Sequence, residues 1–308
     1  MIKRHFFKMR SSGILLVFSL LTLFFISELW LHAKSATVQQ TSKSCLWSIQ
    51  TRANKFYLLG SLHVLKQDAY PLSAAIANAY FDSQKVVFET DIAHMHEPAM
   101  QAKMMKLGLY PEGQNMLQNL DAGTRQLLEK KMTELGLPLG QFSRFKPWFM
   151  ALTLTTVELQ KLGYNPKFGI DIHFFNKATA DGKEIGALES ATYQLNLFGK
   201  MDKQDQNAFL NQTLKDLELV NELAGDLVKF WKTGDANNLH ALLYKSFKDY
   251  PDLHDRLLIQ RNKNWVKEIE GMMRKNKNVL FVVGAGHLVG PDSVVDLLKK
   301  KGYQVKQQ

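Results

Sequence analysis

One short pattern occurs twice, near the two ends of the region that reads as folded. Phe56-Tyr57-Leu58-Leu59 runs into Gly60-Ser61-Leu62-His63, and Val279-Leu280-Phe281-Val282-Val283 runs into Gly284-Ala285-Gly286-His287. Each is a brief apolar, β-favouring run ended by a glycine turn, with a histidine three residues after the first glycine. If both runs are strands of one parallel sheet, both turns fall at its carboxyl edge, where open α/β sheets place their ligands. The two imidazoles then face one another across a cleft, an arrangement that points to a metal site.

The chain begins with Lys3, Arg4, Lys8 and Arg10 and continues into an apolar run from Ile14 to Ile26. This is the plan of a secretory signal peptide, with cleavage after Ala33 or Ser35, or of an uncleaved anchor over residues 12–33. Glu28 sits within a span of the roughly 20 residues a membrane crossing needs, which favours the cleaved signal. Either way the basic end stays inside and the rest is exported, to the periplasm or beyond. Residues 1–35 carry a net +4 of the +10 total, so the exported part has an ordinary charge of +6. Without a dense basic patch interleaved with aromatics, nucleic acid is not an expected partner. The single cysteine, Cys45, excludes an intramolecular disulfide, so the fold must rest on its core.

Residues 36–44 read as a polar linker and 45–308 as one domain. Two strands joined near Thr51–Asn54 form a hairpin. A helix over Leu72–Phe81 and a strand over Lys85–Phe88 complete a strand–helix–strand unit. Residues 97–165 are rich in Met and Leu and broken at Pro111–Gly113, Gly136–Pro138 and Pro147, which predicts a helical insertion that roofs the site. The methionines read as core filler. A helix from Gly169, a strand over Glu184–Leu188, and helices over 191–275 with stops near Gly234 and Pro251 follow. The strand 279–283, a helix at Ser293–Lys301 and a strand around Tyr303–Val305 close the chain. The expected fold is α/β: a mixed, largely parallel sheet flanked by helices.

Polar groups stand at four strand ends: His63, Glu89 with Asp91, Glu189, and His287. Two imidazoles and these carboxylates are the donors from which catalytic zinc and related ions take about three ligands, and a spare carboxylate serves as general base. Each residue also has a structural reading. A lone histidine after a glycine turn is commonly a hydrogen-bonded structural group, Glu89 needs a partner if buried, and Asp91 caps the segment behind it. His94 and His96 read as solvated. Asp171, just after Gly169, reads equally as a helix cap or a site residue. Arg261 and Asn262 lie one turn before Trp265; an inward Arg261 pairs with the carboxylates or holds a substrate oxyanion, an outward one is an ordinary surface cation, and position alone does not choose between them.

Taken in order, Gly60-Ser61-Leu62-His63, Phe88-Glu89-Thr90-Asp91, Gly169-Ile170-Asp171, Leu188-Glu189-Ser190, Arg261-Asn262 and Gly284-Ala285-Gly286-His287-Leu288-Val289-Gly290 resemble the TraB/GumN family, whose pattern includes the TIKI proteins. The resemblance covers roughly residues 45–306. It implies an α/β fold related to erythromycin esterases and ChaN-type haem-binding lipoproteins. By way of the TIKI proteins it also implies metalloprotease activity with Mn²⁺ or Co²⁺, carried by His63, His287 and Glu89. Asp171, Glu189, Arg261 and Asn262 match family positions. Thr192 and Tyr193 depart from the family pattern, where an acidic residue is common before Gln-Leu, and the zincin pattern His-Glu-x-x-His is absent.

The leading expectation is an exported hydrolase of the peptidase class using Mn²⁺, Co²⁺ or Zn²⁺ on His63, Glu89 and His287. Asp171 or Glu189 then acts as base or orienting group, and Arg261 stabilises the oxyanion. Its partner is a peptide or protein substrate. The alternatives are a haem- or peptide-binding module on the same cleft, and a tethered regulatory protein whose site is structural.

Overall fold

The computed structural model describes residues 43–248 and 250–308; the proposed signal or anchor and nearly all of the linker lie outside the described residues. Six strands form one sheet in the order β4-β3-β5-β2-β1-β6. They are β1 (Leu46–Gln50), β2 (Lys55–Ser61), β3 (Lys85–Phe88), β4 (Glu184–Ala187), β5 (Val279–Gly284) and β6 (Val305–Gln307). β4, β3, β5 and β2 are parallel neighbours, while β1 and β6 extend the sheet antiparallel beyond β2. The mixed, mostly parallel α/β sheet flanked by helices is therefore as expected.

The strands follow from composition. Every residue of β5, Val279 to Gly284, is buried, as expected of a strand covered on both faces by helices. β1 and β2 turn over Thr51–Asn54, closed by Thr51 Oγ1 accepting from the Asn54 amide at 3.0 Å. In the segment 97–165 the helix Ala122–Leu135 ends at Gly136 and the helix Pro147–Lys161 begins at Pro147, both predicted breaks, while Pro98–Gly108 stops before the predicted break at Pro111. They contact the helices Ala191–Gly199 and Lys203–Leu217. Among the described residues no helix is long and apolar enough to cross a membrane.

Parallel pairing in register places Gly60 opposite Val283 and Ser61 opposite Gly284. The two glycine-histidine turns thus leave the same edge on adjacent strands. They do not face each other across an open cleft: His63 is 3% and His287 0% exposed. Close approach explains the first glycine. A Cβ on Gly60 would lie 2.4 Å from Cys45 Sγ and 3.2 Å from the Ala285 backbone. The hairpin and the two turns meet there without room for a side chain.

Candidate active site at the carboxyl edge

Four parallel strands each deliver one ionisable group to this edge: β2 His63, β3 Glu89, β4 Glu189 and β5 His287. Three helices supply the rest. Ile170–Ala180 contributes Asp171, Ala191–Gly199 contributes Gln194, and Gln260–Met273 contributes Arg261, Asn262 and Trp265. The helix with Arg261 follows a π-helical turn, Asp255–Ile259. Such turns often mark functional sites, and here the Leu257 carbonyl accepts from Arg261 Nη1 at 2.9 Å.

Arg261 organises the centre and is fully buried. Its Nη2 donates to Glu89 Oε2 at 2.7 Å and to Glu189 Oε1 at 2.8 Å, and its Nε lies 3.1 Å from both Glu189 oxygens. Nη1 donates to His287 Nε2 at 2.9 Å. The guanidinium stacks on Trp265, 4.6 Å from the ring centroid, and Trp265 Nε1 donates to Glu189 Oε2 at 3.0 Å. A planar five-donor fork is suited to two carboxylates and an imidazole at once; a lysine would not be. The inward reading of Arg261 is thus the one realised.

Both oxygens of Glu89 are engaged. Oε1 accepts from the Gly284 amide at 2.6 Å, and Oε2 accepts from Gln194 Nε2 at 3.0 Å besides Arg261. Burial alone would raise this carboxyl's pKa. Arg261, then the histidines and the amide, outweigh burial and hold it below its ordinary value. Glu189 goes the other way: burial raises it, Arg261 offsets only part, and the charge on Glu89 adds to the rise.

The tautomer of His287 follows from its neighbours. Asn262 Nδ2 donates to the Asp292 carbonyl at 2.9 Å, so Asn262 Oδ1 faces His287 Nδ1 at 2.6 Å and accepts its proton. Nε2 therefore carries the lone pair, and Arg261 takes it. Burial first, and the guanidinium second, push this imidazole well below its ordinary pKa, so it is neutral. Neither ring nitrogen is left to face a haem iron.

His63 lies against an acid. Its Nδ1 lies 3.0 Å from Asp171 Oδ1, which also accepts from Ser61 Oγ at 3.0 Å. Asp171 does not cap its helix, as the capping reading had it. Gly169 is the cap residue, and Asp171 sits in the first turn, directed inward and 4% exposed. Gly169 is needed because a Cβ there would lie 2.3 Å from the His63 carbonyl oxygen. Asp171 Oδ2 is buried and has no hydrogen-bond partner among the described residues. His63 acts electrostatically on both Glu89 and His287.

Asp91 caps the helix Ile92–Met95 through the His94 amide and stays outside this cluster; His96 is exposed, and His94 pairs with Glu97 at the surface. Ser61, Gln194, Trp265 and the Leu257 carbonyl were not singled out from sequence. Only the neighbouring motifs, Gly-Ser-Leu-His and Gln-Leu, carried any signal for the first two. An open cavity of about 340 Å³ reaches the cluster from the Glu189 side, lined by Glu189, Ser190, Tyr193, Trp265, Lys267 and Glu268 among others.

His63, Glu89 and His287 do not fit a divalent ion as they stand. His287 Nε2 and Glu89 Oε1 are 3.9 Å apart, close enough to share one, but the guanidinium already takes the imidazole lone pair and Glu89 Oε2. Among the described residues no group of three or more His, Cys, Asp or Glu side chains is arranged to hold a metal.

The sequence profile of the TraB/PrgY/gumN family matches residues 45–307, which includes every residue of the cluster. The chain belongs to the TraB/PrgY/gumN family. Relatives within reach of sequence comparison include the uncharacterised protein YbaP of Escherichia coli K12, 24% identical over 79% of this chain and 88% of YbaP. Metalloprotease TIKI2 of Danio rerio is 24% identical over 87% of this chain and 61% of its own length. Metalloprotease TIKI1 of Homo sapiens is 22% identical over 87% and 62% respectively. No solved structure matches the chain. In this TraB/PrgY/gumN chain Thr192 Oγ1 accepts from Lys103 Nζ at 3.0 Å, and Tyr193 is 39% exposed on the cavity wall.

Proposed function

We propose that this chain is an exported hydrolase acting on peptide bonds. The observation that carries the reading is the buried His63–Asp171 pair, Nδ1 and Oδ1 3.0 Å apart, at the same edge of the sheet as a buried cation with two carboxylates. An imidazole whose Nδ1 faces a carboxylate presents Nε2 as the proton acceptor, the arrangement by which a base takes a proton from water and returns it to a leaving amine. Arg261 supplies fixed positive charge at the same edge; with its N–H groups on Glu89, Glu189, His287 and the Leu257 carbonyl, it acts on a developing oxyanion through its field in a dry environment. The cavity over Glu189 and Trp265 is of the size that accepts small ligands or side chains, which suits an extended peptide entering past Tyr193.

Dependence on Mn²⁺, Co²⁺ or Zn²⁺ is part of the proposal. It is supported by the relatives named metalloproteases. Export to the periplasm or beyond, with cleavage of residues 1–35 or retention of 12–33 as an anchor, rests on the basic and apolar N-terminus.

The test is cleavage of an unstructured peptide library by the full chain, with each of the three ions and with none, beside His63→Ala. Cleavage that falls about 100-fold or more in the variant is expected. No cleavage by the wild type under any of these conditions would sink the reading.

A further inference from the structure

The structure supplies a cation where the donor set predicts a metal. Arg261 Nη2 stands 2.7 Å from Glu89 Oε2, and Nη1 stands 2.9 Å from His287 Nε2, with no solvent exposure. His287 Nε2 is the atom an ion shared with Glu89 would need, and its single lone pair serves one partner at a time. We propose that the Arg261 guanidinium is the resident cation of this site, and that a divalent ion reaches Glu89 and His287 only by displacing it.

The surroundings provide for both states. Glu189 alone holds the fork at two points through Nε and Nη2, so it remains a seat for Arg261 after Nη1 leaves His287 and Nη2 leaves Glu89. Asn262 fixes the Nδ1–H tautomer of His287 independently of Arg261, so Nε2 keeps its lone pair for whichever cation is present. Glu89 is steadied by Gly284 and Gln194 whichever cation it faces. The π turn before Arg261 is a backbone irregularity that ends two residues before the side chain that must move. Ion affinity is then the difference between two cations' hold on the same donors, so removing Arg261 strengthens ion binding.

This inference deepens the hydrolase reading and rests on it for its biological use, but binding is measured without activity, so the two fail separately. The full chain in detergent is titrated with Mn²⁺, and free ion is followed by electron paramagnetic resonance. Arg261→Gln is expected to bind one Mn²⁺ at least tenfold more tightly than wild type, and Arg261→Gln/His287→Ala to lose that gain. Equal affinity in wild type and Arg261→Gln, a gain that survives His287→Ala, or no binding by either protein overturns the proposal. Should Arg261→Gln fail to fold, wild-type protein labelled with ¹⁵N is titrated with Zn²⁺. The Arg261 Nε–H and His287 Nε2 resonances are expected to move together. Movement of His287 Nε2 with Arg261 unmoved, or no movement of either, overturns it.

Discussion

The two ends of one sheet hold the same ingredients in opposite arrangement. At the amino ends of β3 and β4, Glu184 lies between two cations, 2.6 Å from Lys85 Nζ and 2.7 Å from Lys277 Nζ. At the carboxyl ends of the same strands and of β5, Arg261 lies between two carboxylates, 2.7 Å from Glu89 and 2.8 Å from Glu189. The distances are alike; the surroundings are not. Glu184 and Lys277 are about half exposed, whereas Arg261 is wholly buried and both its acids nearly so. At the wet end water and salt screen the triad, and its contribution is small. At the dry end each charge has left water, so its partners must all be present or the whole arrangement is costly. A protein that only needed a stable sheet would gain nothing from the second arrangement, because apolar residues of the same volume would serve as well. Its retention fits a functional site.

The comparison breaks most visibly at Arg261. Arg261→Met leaves Glu89 and Glu189 buried without their cation and should cost about 3–5 kcal/mol, read as a lowered denaturation midpoint. A loss below 1 kcal/mol would mean the dry end is no more demanding than the wet one. Next is Asp171→Asn, which keeps the bond from Ser61 but removes the charge beside His63. Peptide hydrolysis should fall about 100-fold, equivalent to about 2.7 kcal/mol of barrier, while the circular dichroism spectrum is unchanged. Unchanged hydrolysis would remove the His63–Asp171 pair from the account.

Gly169→Ala sharpens the comparison by geometry alone. The backbone there has φ −59°, which any residue adopts, so the cost comes only from the new Cβ meeting the His63 carbonyl. About 1–3 kcal/mol of stability should be lost; a neutral substitution would show that the turn yields easily. The wet end should respond least: Glu184→Gln costs under about 1 kcal/mol, and less at high salt. Bonds from Lys277 and then Lys85 lower the Glu184 carboxyl from 4.5 to about 2. A depressed folded-state pKa contributes stability that is full above 4.5 and lost as pH falls through about 2. The wild-type advantage over Glu184→Gln should therefore shrink over that window, measured by denaturant unfolding at each pH. Finally, burial raises the Cys45 thiol to about 12, so it should resist thiol reagents at pH 8 until the protein unfolds.

Much of this edge was legible in the chain. The repeated strand–glycine–histidine pattern placed β2 and β5 correctly, and the short run Lys85–Phe88 gave β3 with Glu89 just beyond it. These are local signals: an apolar run of strand length stopped by glycine reads the same wherever it sits. Asp171 was harder, because a short acid after glycine at a helix start has an ordinary use as a cap, and only the His63 turn above it shows that it has another. Ser61 and Gln194 escaped notice because a neutral side chain acquires its role from the partner it meets.

The sequence by itself determined where strands and turns fall and which acids, imidazoles and bases stand at strand ends, since backbone preference and hydrophobic periodicity act over a few residues. Which charge meets which was decided only by the tertiary structure. Arg261 is 172 residues from Glu89 and 72 from Glu189, yet its two-point grip on the acids and its hold on His287 act, together with burial, on the protonation of all three. Those energies depend on distance and on exclusion of water, and neither quantity exists until the helices close over the sheet.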